Sequence, residues 1–203
     1  MADAMKIMLV VCSYLMGSIS FAYLFAKGFR GIDIRTVGSG NPGATNVARL
    51  MGLKAALVVL LLDALKGWIV AVTVPRLVAD PGFVLLCGLA VIAGHNWPVF
   101  LSFRGGKGVA TTLGFFLGFA FLPTIGVVAF VAAVIYLTRY VSLGSIVGSI
   151  AIPVLMVLSP ELRSYVLYGL LICVVILWRH GSNIKRLLQG TESRLEKKRQ
   201  VRS

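Results

Sequence analysis

Long apolar runs alternate with short polar connections from one end of the chain to the other. Met5 to Ala26, Ala55 to Val74, Phe83 to Phe103, Val109 to Leu137, Ser142 to Leu158 and Tyr165 to Trp178 are apolar with few interruptions. A helix rises about 1.5 Å per residue, so about twenty such residues cross a hydrocarbon layer of about 30 Å. Each run is therefore predicted to be a membrane-crossing helix, except Val109–Leu137, which is long for one crossing and short for two. Met5–Ala26 is expected to be an uncleaved first span and not a signal peptide. The run is long, and Leu24-Phe25-Ala26 ahead of Lys27 makes a poor cleavage sequence. The expected fold is an all-α integral membrane protein, one polytopic domain over residues 1–203.

Composition agrees. Hydrophobic residues make up 58% of the chain and charged residues only 13%, which leaves too little polar surface for a soluble domain. The net charge of +13 would suggest nucleic acid in a soluble protein, but here most of the excess lies in short loops and a basic tail, so no nucleic-acid partner is expected. The run from Arg194 to Arg202 suits anionic lipid head groups. Cys12, Cys87 and Cys173 stand inside apolar runs without metal or redox spacing. They read as small hydrophobes, and no disulfide is expected.

Charge also bears on the number of spans. If Val109–Leu137 crosses twice, breaking at Pro123, seven spans place Lys27, Arg30, Arg35, Arg49, Lys54, Arg104, Lys107, Arg139 and the basic residues from Arg179 onward on one side. A single crossing divides the basic residues almost evenly. The tendency of Lys and Arg to stay on the cytoplasmic side therefore favours about seven transmembrane helices, with the N-terminus periplasmic and the C-terminus cytoplasmic. Three polar segments, 38–49, 94–108 and 179–192, then share the cytoplasmic face.

These segments carry the candidate chemistry. Gly94–Gly108 holds His95, Asn96, Arg104 and Lys107 among glycines. Glycines let backbone N–H groups converge on an anion, the two cations add charge, and a helix starting at Val109 would present its positive end. It is not a Walker A loop, since Gly108 replaces the hydroxyl residue that must follow the Lys. Ser39-Gly-Asn-Pro-Gly-Ala-Thr-Asn46 offers hydroxyls and carboxamides, and Arg49 adds a planar partner for phosphate. His95 and His180 each end an apolar run close to an Asn, and without carboxylate or thiolate companions they make no metal site. Arg179, Asn183 and Arg186 recur at i, i+4, i+7 as a polar stripe on an interfacial helix. Asp63 and Lys66 are charges inside a span at i, i+3. Either they neutralise each other and fix helix packing or they take part in binding substrate, and the sequence leaves both open. Gly114-x3-Gly118 and Gly144-x3-Gly148 are read as close helix packing.

Ser39-Gly-Asn-Pro-Gly-Ala-Thr-Asn46, Gly94-His95-x4-Phe100-x2-Phe103-x-Gly-Gly-Lys-Gly108 and His180-x2-Asn183-Ile-x-Arg-Leu-x2-Gly190-x-Glu192 resemble, in order, the three cytoplasmic motifs of the PlsY family, bacterial inner-membrane acyltransferases. The resemblance covers the whole chain. It implies transfer of a fatty acyl group from acyl phosphate to the 1-hydroxyl of glycerol 3-phosphate, giving lysophosphatidic acid and phosphate, with the active site facing the cytoplasm. Ser39, His95, His180 and Asn183 are then the catalytic candidates. Asn41, Gly43, Thr45, Asn46, Arg49, Gly105, Gly106, Lys107, Gly108 and Glu192 are the candidates for binding substrate and phosphate. The proton acceptor is a His or the departing phosphate. No cofactor and no metal are expected. The partners are the two substrates and membrane lipids, with oligomeric state left open and a monomer one option. A transporter for a phosphorylated anion is the alternative, against which stands the absence of an internal repeat.

Overall fold

The structure is a computed structural model that describes residues 2–195. The basic run expected to touch lipid head groups lies, beyond Leu195, outside the described residues. Within them the chain is all-helical: α1 (Ala2–Ser18), α2 (Phe21–Arg30), α3 (Ala44–Met51), α4 (Leu53–Thr73), α5 (Pro81–Asn96), α6 (Val109–Phe119), α7 (Phe121–Thr138), α8 (Val141–Leu158), α9 (Val166–Arg179) and α10 (Gly181–Leu188).

The first apolar run is not one helix. It breaks after Ser18, and Ser20 opens α2 by accepting a hydrogen bond from the Tyr23 N–H at 3.4 Å. The freed carbonyls of Gly17 and Ile19 are both taken by the buried Lys66 ammonium, at 3.0 Å each. The third run stops early for a similar local reason. α5 ends at Asn96, ahead of Trp97-Pro98, so His95 and Asn96 occupy its final turn. The fourth run breaks at Ala120, three residues before the expected Pro123, which instead sits in the first turn of α7, where a missing N–H costs little.

Glycines decide which helices lie close. A Cβ at Gly17 would strike the Val91 carbonyl and one at Gly94 the Tyr14 carbonyl, so α1 and α5 lie backbone to backbone. α4 and α6 meet in the same way, Gly67 against the Thr111 carbonyl and Gly114 against the Ala64 carbonyl. Gly144 and Gly148 of α8 admit Ile135 and Val131 of α7. Both glycine spacings are therefore packing seams, as expected. The chain reverses at Ala120: α6 starts beside Gly144 and Ser145 at the head of α8 and ends beside Leu155 and Met156, whereas α7 runs back along α8.

Among the described residues five candidate spans are long and apolar enough to cross a membrane, and six if the bent pair α9 and α10, turned by 62°, counts as one. α6, with eleven residues, is too short by itself. Outward-facing Leu57, Leu61, Leu122, Leu137, Leu158 and Val174 leave a broad apolar surface suited to lipid. Two cores lie inside. One, around Phe83, Leu85, Val91, Phe115, Ile152, Met156 and Ile176, knits α4, α5, α6, α8 and α9 together. The other, around Ala22, Ala26, Ile34, Val47 and Val59, seats the first polar loop on α4.

Candidate active site

The second polar segment leaves α5 and folds back on it. Gly106 N–H donates to the His95 carbonyl at 3.0 Å, and a Cβ at Gly105 would strike that same carbonyl. Ser102 and Phe103 take left-handed backbone conformations, with φ of 52° and 60°, to make the turn. Gly108, at φ 81°, opens α6, and a Cβ there would lie 2.9 Å from Asn96 Oδ1. Only glycine meets both demands.

The third segment clasps this loop. Arg179, in the last turn of α9, donates through Nη2 to the Gly105 and Gly106 carbonyls at 2.7 Å each and through Nε to Gly106 at 3.0 Å. Lys107 Nζ donates to Asn183 Oδ1, and Asn183 Nδ2 donates to Glu192 Oε1 at 2.7 Å. Glu192 Oε1 also accepts from Ser142 Oγ at 2.8 Å, and Oε2 from Arg186 Nε at 2.6 Å. Burial works against ionisation of Glu192. The bonds from Ser142, Asn183 and Arg186 outweigh it and hold the carboxyl below its usual range. Glu192 is thus the anchor that aims Asn183, which in turn receives Lys107. The expected stripe divides at His180: Asn183 and Arg186 share α10 and both reach Glu192, while Arg179 turns to the glycine loop.

The first segment joins through one arginine. Arg35 is paired with Asp33 at 2.6 Å and donates through Nη1 to the Leu101 carbonyl at 3.0 Å. Within this loop Asn46 is buried and its amide is committed: Oδ1 accepts from Ser39 N–H at 3.1 Å, and Nδ2 donates to the Ile34 and Val37 carbonyls at 3.2 and 3.0 Å. Both amide hydrogens are used, so Asn46 shapes the loop and is not placed to hold phosphate itself. Gly43 opens α3, while Ser39, Thr45 and Arg49 are exposed and Asn41 is half-buried. None of these four side chains is hydrogen-bonded to the other two segments among the described residues.

Charge at the junction is one-sided. Lys107 is pushed down to about 8 by burial first and then by the Arg186 charge, with Glu192 opposing and Arg179 and Arg49 adding to the depression. Four cations thus bear on one another around a single carboxylate, an arrangement that favours a bound dianion. Below it Lys66 Nζ lies 2.9 Å from Asp63 Oδ1 and 2.8 Å from His95 Nδ1, all three groups buried. The two span charges therefore form a pair that also touches a candidate site residue. His180 is buried, with Nδ1 2.8 Å from the Ile176 carbonyl. Two small apolar clefts lie along α6 and α8, one lined by Val109, Thr112 and Ser145 and the other by Phe116, Pro123 and Leu162, with Leu113 and Ile152 lining both.

Five contributors were not among the catalytic and binding candidates of the sequence: Arg35, Arg179, Arg186, Ser142 and Asn96. Arg179 and Asn96 had a signal, each flanking a candidate histidine. Asn96 is fully buried, and neither polar atom of its side chain has a hydrogen-bond partner among the described residues; the same holds for the Thr111 and Thr112 hydroxyls.

Residues 7–190 match the family described as glycerol-3-phosphate acyltransferase. A glycerol-3-phosphate acyltransferase from Thermoanaerobacter sp. is 44% identical over 198 residues, covering 97% of this chain and 98% of the relative. One from Synechococcus sp. is 45% identical over 193 residues, covering 95% and 96%. The crystal structure of PlsY, an integral membrane glycerol 3-phosphate acyltransferase, in its glycerol 3-phosphate form, superposes with a TM-score of 0.89 at 38% identity, covering 94% of this chain and 96% of that one. Its lysophosphatidic acid form superposes with a TM-score of 0.87 at 37% identity. With its polar segments gathered around Lys107 in an all-helical membrane fold, and with relatives of this identity along nearly its whole length, the chain belongs to the PlsY family of integral membrane glycerol-3-phosphate acyltransferases.

Proposed function

We propose that the protein transfers a fatty acyl group from acyl phosphate to the 1-hydroxyl of glycerol 3-phosphate, at the cytoplasmic face of the bacterial inner membrane. The observation that carries this reading is the Lys107–Asn183–Glu192 relay, set among arginines at the end of apolar helices. A phosphorylated head and an acyl tail need that combination. The relatives in glycerol 3-phosphate and lysophosphatidic acid forms supply the acceptor and the product by analogy.

The chemistry asks little of a nucleophile. Acyl phosphate is a mixed anhydride, so the hydroxyl oxygen attacks the carbonyl carbon, the carbon–oxygen bond to phosphate breaks, phosphate leaves with the electron pair, and the hydroxyl proton passes to a His or to that phosphate. Lys107, Arg49 and the Gly105 and Gly108 amides hold phosphate, the Gly106 N–H being already given to the His95 carbonyl, and Asn183 and His180 orient the acceptor. Ser39 and Thr45, exposed, and Asn41 and Gly43, half-buried, form the rim of the first loop, from which they contact substrate. Asn46 and Glu192 act by holding Ser39 and Asn183 in place. Positioning and charge stabilisation together lower such barriers by roughly 10 kcal/mol.

Seven passages complete the proposal: α1 with α2, then α4, α5, α6, α7, α8 and α9, with the N-terminus periplasmic and the C-terminus cytoplasmic. α6 makes a short passage, screened from lipid by the glycine seam it shares with α4. The reading is tested by supplying purified protein with acyl phosphate and glycerol 3-phosphate. Lysophosphatidic acid and phosphate should appear in equal amounts; lysophosphatidic acid formed only from an acyl thioester would overturn the donor assignment.

A further inference from the structure

The buried pair in α4 has a role beyond neutralising itself. Lys66 Nζ lies 2.8 Å from His95 Nδ1, 2.9 Å from Asp63 Oδ1 and 3.0 Å from each of the Gly17 and Ile19 carbonyls. An ammonium has three hydrogens, which go to the Gly17 and Ile19 carbonyls and to His95 Nδ1, while Asp63 Oδ1 is paired with it by charge and has no hydrogen bond among the described residues; Nδ1 is therefore the acceptor, bare of a proton. The neutral ring then carries its proton on Nε2. Nε2 faces Gly106, where a Cβ would collide with it, and it has no partner among the described residues. Asp63 balances the Lys66 charge, so the ring faces a neutral pair from α4 and the Arg179 guanidinium across the glycine loop.

His180 is set the other way. Its Nδ1 lies 2.8 Å from the Ile176 carbonyl, which can only accept, so Nδ1 carries the proton and Nε2 is the bare nitrogen. Two histidines on one site are thus held in opposite tautomers by different partners.

We propose that Lys66, charge-paired with Asp63 and aimed by the Gly17 and Ile19 carbonyls, is a positioning residue that locks His95 as a hydrogen-bond donor. Nε2–H serves the oxygen that gains negative charge, on the phosphate or on the acyl carbonyl. His95 is thereby excluded as the proton acceptor, and His180 Nε2 and the departing phosphate are left as the two candidates. This deepens the proposed function and rests on it for the identity of the oxygen served, but not for the tautomer.

The test is the 15N spectrum of full-length protein labelled at histidine, with both rings neutral and the signals assigned by loss in His95→Gln. Protonated and bare ring nitrogens resonate far apart. The expected result is His95 protonated at Nε2 and His180 protonated at Nδ1; a His95 proton on Nδ1 overturns the proposal, whatever the variants do. Lys66→Met should let Nδ1–H turn to Asp63, whose Oδ1 is 3.5 Å away, and flip the tautomer. It should lower kcat about a hundredfold, the usual loss for one charge-stabilising donor, while leaving KM for glycerol 3-phosphate within a few-fold. A Lys66→Met protein that keeps Nε2–H contradicts the claim, and wild-type kcat in it does so as well. If acyl phosphate proves not to be the donor while the spectrum is as expected, the function reading fails and the tautomer assignment stands.

Discussion

Lys107 concentrates the account at the scale of single residues. Its ammonium meets Asn183 inside a ring of arginines, so burial and like charge bring its pKa from the ordinary 10.5 down to about 8. The folded chain therefore releases this proton before the unfolded chain does. As pH rises through about 8 the charge proposed to bind phosphate is lost, and kcat/KM, which reports the free enzyme, should fall. The substrate phosphates are already dianionic there and add no limb of their own. Lys107→Arg, which does not titrate in this range, should remove that descending limb. Lys107→Ala should lower kcat/KM by about 10²–10³ without loss of fold. The linkage sign is opposite for stability: between about 8 and 10.5 the unfolded chain holds more protons, so folding becomes more favourable with rising pH in that window. A pH–rate profile with wild type and Lys107→Arg checks the assignment; the same alkaline limb in both would refute it.

Residue identity was legible where chemistry is rare in an apolar chain. Lys107, His95, His180, Asn183 and Glu192 all stand out against hydrocarbon, and the structure gathers all but His180 into hydrogen-bonded contact with one another or with the glycine loop. What could not be read was direction. Asn46 looks like a ligand group in the sequence, but its amide turns inward onto Ile34 and Val37, because a buried loop must satisfy its own carbonyls. Arg179 looks like an interfacial anchor and instead holds the Gly105 and Gly106 carbonyls.

At the scale of elements, the glycine seams separate two kinds of substitution. Gly114→Ala would press a methyl group into the Ala64 carbonyl and force α6 off α4, which should cost about 1–3 kcal/mol. Gly28, inside α2, has nothing within 4 Å of an added Cβ, so Gly28→Ala should stabilise by about 0.5–1 kcal/mol through helix propensity alone. Thermal unfolding in detergent should move in opposite directions for the two variants. Equal shifts would mean that the α4–α6 seam is not close-packed. Helices were readable from apolar length, but their breaks were less so. Ser20 caps α2 and marks the break inside the first run, yet its hydroxyl counts for little among apolar neighbours in a hydropathy reading. Pro123 drew attention as a breaker, although proline is tolerated in a first helical turn and the chain turns at Ala120.

For the whole molecule, sequence and structure meet in the clustering of polar segments and part over counting crossings. Charge distribution favoured seven; length and hydropathy alone admit five or six among the described residues, because α6 is short and α9 bends into α10. Sidedness follows from the proposal and can be labelled. In a Cys12→Ala background, cysteines placed at the exposed Ser39 and Arg104 should react with an impermeant maleimide only after inside-out conversion of membrane vesicles, whereas one at Arg76 should react from outside. Labelling of Ser39 and Arg104 from opposite sides would separate segments that Arg35 joins through Leu101.

The central claim is that one junction holds both phosphates beside the apolar helices that would accept the acyl tail. Its most direct measurement is the yield of lysophosphatidic acid and inorganic phosphate from acyl phosphate and glycerol 3-phosphate by purified wild-type and Lys107→Ala protein. Equal yields of the two products, falling together by about 10²–10³ in the variant, are predicted. Undiminished turnover in the variant, or lysophosphatidic acid without phosphate, would contradict the account.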